Sequence, residues 1–300
     1  MKRATTATAS ALAALALLLN ATVWGLSWVP FKALGTLGLH PLWSTALFHA
    51  LALPVLMVWR PAALRVALKD SGLWLLAATA GLTNVLFNWA VTTGDVVRVV
   101  LLFYLLPVWS VGFAWWLLGE RPSAAAVLRL AMALAGVALV LRAPDSPWPW
   151  PASGADALAL ASGAGAALTT ILLRRLRTAS GGARALAMFG GTGVMALAFA
   201  LAGMASALIA PLPPPQWMAL PWLLALAAGL LAGNYALQYG AARLPAQTTA
   251  LIMLSEVVIT SVSAVWLGAA RLDANVLLGG GIILLAAFLA VAPWRRAGSG

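Results

Sequence analysis

Apolar runs of membrane-spanning length, parted by short polar breaks, fill this chain from end to end. Ten segments carry the pattern, at 10–33, 41–59, 71–93, 97–118, 122–142, 155–174, 183–209, 217–240, 246–267 and 273–293. Stretches of about 18 or more apolar residues read as transmembrane helices. The pattern therefore predicts an all-α integral membrane protein with ten transmembrane helices. Breakers mark the joints. His40-Pro41 opens the second segment and Arg60-Pro61 closes it. Arg121-Pro122 parts the fourth from the fifth, and proline-rich stretches run from Pro144 to Pro151 and from Pro211 to Pro215.

The pattern is also duplicated. Trp74-Leu75-Leu76 followed by Gly81 returns as Trp222-Leu223-Leu224 followed by Gly229, and Leu117-Leu118-Gly119 returns as Trp266-Leu267-Gly268. The copies lie close to half a chain apart, which divides the sequence into repeats at 1–150 and 151–300 with five helices each. An odd number of spans per repeat sends the two halves into the membrane in opposite senses. Inverted repeats of this kind point to a transporter, with its site between the halves near the bilayer midplane and alternating access as its mechanism.

Composition narrows the function classes. Of 300 residues, 63% are apolar and 8% charged, and mean hydropathy is +0.97. The chain has no cysteine, which removes disulfides, thiol chemistry and cysteine-based metal sites. Two histidines and seven acids argue against a His/carboxylate cluster, so no metal or cofactor is expected. An isoelectric point near 11.6 raises nucleic acid as a partner. The basic residues are scattered between helices, however, so none is expected. Their distribution instead follows the rule that positive charge stays in the cytoplasm.

With the N-terminus inside, fourteen Lys and Arg face the cytoplasm; Lys32, Arg98, Arg142 and Arg271 face the other side. Both termini are thus predicted to be cytoplasmic. Asp95, Asp145, Asp156 and Asp273 fall outside. Lys2 and Arg3 before an apolar run resemble a signal peptide, but the run from Ser10 to Lys32 is longer than a signal core and reads as a retained first helix. Trp43, Trp59, Trp74, Trp217, Trp222 and Trp294 sit near helix ends, where amphipathic rings favour the interface.

Several motifs carry a family likeness. Trp24-Gly25 precedes Lys32; Pro107 stands twelve residues before Gly119 and is followed by Glu120-Arg121; Arg174-Arg175 closes the sixth segment. Ser255-Glu256 occupies a Glu-Pro position with Val257 in place of proline, and Ala269-Ala270 stands where Glu-Arg is the pattern. On these residues the chain resembles the drug/metabolite transporter superfamily, EamA-type, over essentially its whole length. Within it the chain is most similar to aromatic amino-acid exporters of the YddG type. The resemblance implies a monomeric exporter of amino acids, aromatic or hydrophobic with Thr or Met as further candidates, in the bacterial inner membrane.

The polar residues at bilayer depth are the candidate site. An ionisable group there costs roughly 2.5–3.5 kcal/mol on insertion scales, which marks it as functional by default. Glu256 is the one acid in the middle of a predicted span. Binding a substrate ammonium and carrying a proton both fit it, as does a structural carboxyl capped by Ser255, Thr260 or Ser261. Asn84 and Asn88 lie four apart on the third segment, and Asn234 and Gln238 repeat the spacing on the eighth. Asn20 adds an amide in the first. Trp24, Phe87, Tyr104, Tyr235 and Tyr239 are candidate aromatic walls, suited to an amphipathic substrate.

His49 reads as a hydrogen-bonded structural histidine. Gly163, Gly165, Gly229 and Gly233 are small enough to let helices approach. Pro30, Pro54 and Pro107 are candidate kinks; Pro30 and Pro107, with Glu120 at the turn between the fourth and fifth segments, are the expected hinge and gate residues. No nucleotide-binding motif appears, and neither a Ser/His arrangement nor paired acids point to an enzyme. A phosphate-bearing substrate would want buried Lys or Arg, and a cationic drug more than one intramembrane acid. A carrier of the same fold for another metabolite and a non-transporting membrane scaffold are the alternatives to an amino-acid exporter.

Overall fold

A computed structural model describes residues 2–105, 108–109, 112–113, 116, 124–141, 151, 153–176, 178–241, 243–244, 252–253, 255–269 and 274–291. These residues form helices and turns, with no strand among them. The helices are α1 (Lys2–Leu26), α2 (Trp28–Thr36), α3 (Pro41–Trp59), α4 (Pro61–Lys69), α5 (Ser71–Thr93), α6 (Val96–Phe103), α7 (Ala124–Leu141), α8 (Gly154–Arg175), α9 (Gly181–Ala205), α10 (Leu220–Ala241), α11 (Ser255–Trp266) and α12 (Ala274–Val291). Six stretches are long and apolar enough to cross a bilayer: Ala11–Thr36, Pro41–Trp59, Ser71–Thr93, Gly154–Leu173, Gly181–Ala205 and Trp217–Gly240. Val127–Gly136, Ser255–Trp266 and Ala274–Ala286 are apolar but shorter among the described residues.

Local chemistry sets the helix starts. Side chains take up backbone N–H groups that a first turn leaves without partners. Asp70 accepts from Gly72 at 2.8 Å, Asp95 from Arg98 at 2.8 Å, Ser153 from Asp156 at 3.2 Å and Ser180 from Ala183 at 3.2 Å, which starts α5, α6, α8 and α9. His40 Nδ1 accepts from Leu42 N at 3.3 Å ahead of Pro41, the first residue of α3. Burial pushes the His40 pKa below its ordinary value, which keeps that nitrogen an acceptor.

Four features depart from the ten-segment reading. The first segment breaks at Ser27, whose N–H bonds Trp24 O at 3.1 Å, a three-residue turn. Pro30 explains the break: it has no N–H for the Leu26 carbonyl, and its ring crowds that carbonyl. The polar stretch after α3 is itself a helix, α4, with Ala63 buried against the bundle and Arg65 and Lys69 exposed. The fourth segment does not run through as one helix; α6 ends at Phe103, and Tyr104 caps it. The seventh stops at Ala205, where Leu208 and Ile209 both turn back to the Gly203 carbonyl at 2.8 and 3.1 Å.

Close backbone approach holds the bundle together. Lipid tails are as apolar as leucine, so helices associate through dispersion and through small residues that let backbones meet. α5 packs on α8 and on α9, α3 packs on α9, α1 on α10 and α11, and α7 on α12. At the α5–α9 crossing a Cβ at Gly81 would lie 2.8 Å from Gly191 O, and one at Gly191 would collide with Ala77 O. At the end holding the start of α6, the Arg98 guanidinium forks onto Asp156, Nε to Oδ1 at 2.8 Å and a terminal nitrogen to Oδ2 at 3.0 Å. That pair ties α6 to α8.

The crossing predicts a position-specific defect. Gly191→Ala should lower stability by about 1–3 kcal/mol or more through overpacking against backbone. Gly190→Ala, where a Cβ meets only Leu53 at 3.9 Å, should melt close to wild type. Thermal unfolding in detergent measures both; equal melting of the two variants would contradict the crossing.

Candidate functional site

Gly25 brings α1 against the start of α11. A Cβ there would lie 3.1 Å from Glu256 O and 2.9 Å from Ile259 Cγ2, so only a glycine lets the two backbones touch. This contact places α1 side chains beside those of α11. Asn20 is fully buried and its Nδ2 donates to Met253 Sδ at 3.4 Å. Its Oδ1 has no hydrogen-bond partner among the described residues and looks toward Gly233 of α10, where a Cβ would come within 3.3 Å. About two turns beyond Asn20, Trp28 Nε1 donates to Ser263 Oγ at 3.1 Å.

Tyr104 supplies the other side. Its hydroxyl lies 3.0 Å from Glu256 Oε2 and 3.2 Å from Met253 O. Glu256 is 6% exposed. A hydroxyl has one proton and here two acceptors, so the arrangement serves two protonation states. With the carboxylate ionised, Tyr104 donates to it. With the carboxyl protonated, Glu256 donates to Tyr104, and the phenol turns its own proton to the Met253 carbonyl. Tyr104 is the residue that caps the C-terminal end of α6.

An aromatic chain leads to this pair. Trp24 meets Phe87 edge-on at 6.3 Å, Phe87 meets Phe103 at 4.9 Å, and Phe103 meets Tyr104 at 5.7 Å. Asn20, Trp24, Phe87, Tyr104 and Glu256 thus come together. Phe103 and Met253 join them although the sequence pattern did not single them out. Met253 stands three residues before Glu256, a spacing that puts both on one helix face.

The remaining sites named from sequence lie elsewhere. Asn84 Nδ2 bonds Ala80 O on its own helix at 2.8 Å. Asn88 Nδ2 reaches Thr45 Oγ1 at 3.1 Å, joining α5 to α3. Gln238 Nε2 bonds Asn234 Oδ1 at 2.8 Å along α10. Tyr235 stacks obliquely near Trp59 at 6.5 Å, and Tyr235 and Gln238 line a cavity of about 570 Å³ at the opposite end from Arg98. Tyr239 is exposed, with the Arg243 guanidinium 3.7 Å above its ring. Pro30 lies just beyond the Ser27 break, while Pro107 and Glu120 fall outside the described residues. His49 bonds Thr45 O at 2.8 Å and packs between Phe48 and Phe189.

Residues 11–142 match the EamA-like transporter family. This match and the six apolar helices make the chain a multi-pass membrane protein. No curated protein matches the sequence. Among solved structures, a crystal structure of another protein overlays with a TM-score of 0.61 at 20% identity, covering 93% of this chain and 96% of that one. At such identity the likeness is one of fold.

The Tyr104–Glu256 contact predicts measurable coupling. Tyr104→Phe and Glu256→Gln should each shift stability, and the double variant should differ from their sum by about 0.5–3 kcal/mol, as for residues in direct contact. A double-mutant cycle read from detergent melting curves tests this; an additive result would remove the contact.

Proposed function

We propose that this protein is a secondary transporter that exports aromatic and hydrophobic amino acids, with Thr or Met as further candidates, from the bacterial cytoplasm by alternating access. The observation that carries the proposal is the buried Glu256 carboxyl of α11, met by Tyr104 of α6 from the other half of the chain. A buried acid between two halves is a place for a substrate ammonium or a transported proton. The aromatic chain from Trp24 to Tyr104 offers an apolar wall for the side chain of such a substrate. The match of 11–142 to a transporter family supports the same reading.

Helix packing supports the inverted repeat. Let α1, α3, α5, α6 and α7 correspond to α8, α9, α10, α11 and α12. The α5–α8 packing then has its mate in α1–α10, α6–α8 in α1–α11, and α5–α9 in α3–α10. The α3–α9, α6–α11 and α7–α12 packings map onto themselves. A pseudo-two-fold axis between the halves would produce this set. In this reading repeats 1–150 and 151–300 exchange conformations to move the opening from one membrane face to the other. Helix interruptions at Ser27 and after Phe103 fall beside Glu256, as interrupted helices do at transporter sites. The protein acts as a monomer with both termini in the cytoplasm.

Two measurements test the proposal. Cells expressing the chain should extrude radiolabelled phenylalanine or threonine faster than cells lacking it, and Glu256→Gln should cut that efflux at least tenfold while melting as a folded protein. Unchanged efflux across a panel of amino acids would end the exporter reading, and full activity of Glu256→Gln would end the role given to Glu256. Topology is testable because the native chain has no cysteine. In intact cells T36C should react with a membrane-impermeant maleimide and K69C only with a permeant one; the reverse pattern would invert the orientation.

A further inference from the structure

The residues of α10 named from the sequence belong to a second site, chemically opposite to the first. At the end of the bundle where α3, α9 and α10 meet, the cavity of about 570 Å³ is lined by Trp59, Arg60, Ser180, Gly182, Tyr235 and Gln238, among others. This volume falls within the usual range for small-molecule sites, about 300–1,000 Å³. Among the described residues no carboxylate lines it and none pairs with Arg60. The central cluster is the reverse: its Glu256 carboxyl, Asn20 Oδ1 and Met253 O are acceptors, and among the described residues no cation bonds to them.

Arg60 is an exposed residue whose stem packs at the edge of this cavity. Its stem lies on Gly182, where a Cβ would come within 3.2 Å of Arg60 Cγ and 3.3 Å of Ala63 Cβ. The cavity also receives the N-terminal end of α9, a 25-residue helix whose dipole adds positive potential at Gly181 and Gly182. The Gln238 amide nitrogen is engaged by Asn234, which fixes the orientation of that side chain. Trp59 and Tyr235 give aromatic walls, and the buried Tyr235 hydroxyl has no hydrogen-bond partner among the described residues. A guanidinium and two aromatic faces recognise a carboxylate attached to an apolar or aromatic body.

We propose that this cavity is a carboxylate-recognition station, separate from Glu256, at which Arg60 anchors an amino-acid substrate entering from the cytoplasm. The proposal rests on the exporter reading for its substrate and adds the step before the central site. Distance makes the two stations successive. Gly233, beside Asn20, and Gln238, in the cavity, are five residues apart on α10, roughly 7.5 Å along the axis at 1.5 Å per residue. The cavity and the central cluster thus lie at different depths of the bundle, and in this proposal a zwitterion meets Arg60 first and Glu256 afterwards.

Phenylacetate separates this proposal from the exporter reading, because it has the ring and the carboxylate but no ammonium. On the purified full-length protein it should raise the melting temperature of wild type and Glu256→Gln by a few degrees and leave Arg60→Gln unmoved, with Arg60→Lys responding in part. Arg60→Gln should also raise the KM for phenylalanine roughly tenfold in vesicles, the loss of one charge-assisted hydrogen bond. Phenylalanine efflux without an Arg60-dependent phenylacetate shift would overturn the station while leaving the exporter reading intact. An Arg60-dependent shift without amino-acid efflux would keep a carboxylate site and overturn the exporter reading.

Discussion

Hydrocarbon offers no hydrogen bonds, and the structure follows from that constraint. Each unsatisfied backbone group at bilayer depth costs several kcal/mol, so a spanning segment closes its own backbone ladder as a helix. The long apolar helices obey it throughout. Interruptions are tolerated only where protein takes over from lipid. The described chain has such interruptions at Ser27, between α1 and α2, and after Phe103, at the end of α6. Both lie beside Glu256, inside the bundle. Ser27 Oγ donates to Trp24 O at 2.8 Å there, and Tyr104 N still reaches Val100 O at 3.0 Å while its side chain turns to the carboxyl.

The same constraint governs polar side chains. Asn84 places its amide nitrogen on its own helix, Gln238 on Asn234, and Asn88 on Thr45 across the α3–α5 contact, where the buried Asn88 Oδ1 has no partner among the described residues. Bonds of this kind are worth roughly 0.6 kcal/mol each in membrane proteins, enough to fix geometry and too little to build the bundle. Association rests on the crossings, where Gly25, Gly81 and Gly191 allow backbone contact. One consequence is functional: the Gly25 contact that packs α1 on α11 is also what sets Asn20 and Trp24 beside Glu256.

Charge is distributed along the molecule in a way that suits directed passage. The end with Arg60, Arg65, Lys69 and Arg184 is basic and carries the cavity, while at the other end Arg98 is neutralised by a forked contact to an Asp156 that is 2% exposed. Between them lies the acidic centre. In the exporter proposal, a zwitterion moving inward from the basic end presents its carboxylate to cations first and its ammonium to Glu256 later.

The sequence by itself determined the helices whose limits are written in local chemistry. Pro41, Arg60-Pro61 and Asp70 bound α3 and α5 at the residues read from the pattern, because caps and prolines act on neighbours in the chain. The break near Pro30 was legible for the same reason. α4 was not, since a nine-residue helix with Arg65 and Lys69 lacks the apolar run that marks a span. Glu256 stood out because its cost at bilayer depth belongs to the residue alone. Tyr104 was named as an aromatic wall, but its pairing with Glu256 was not legible: it lies 152 residues away, and only the packing of α6 against α11 brings it within 3.0 Å. Likewise the spacing of Asn234, Tyr235 and Gln238 placed them on one helix, but not at which depth. Tertiary structure decided that, carrying Tyr235 and Gln238 to Arg60 rather than to Glu256, because position along a bundle is set by which helices meet and not by periodicity within one.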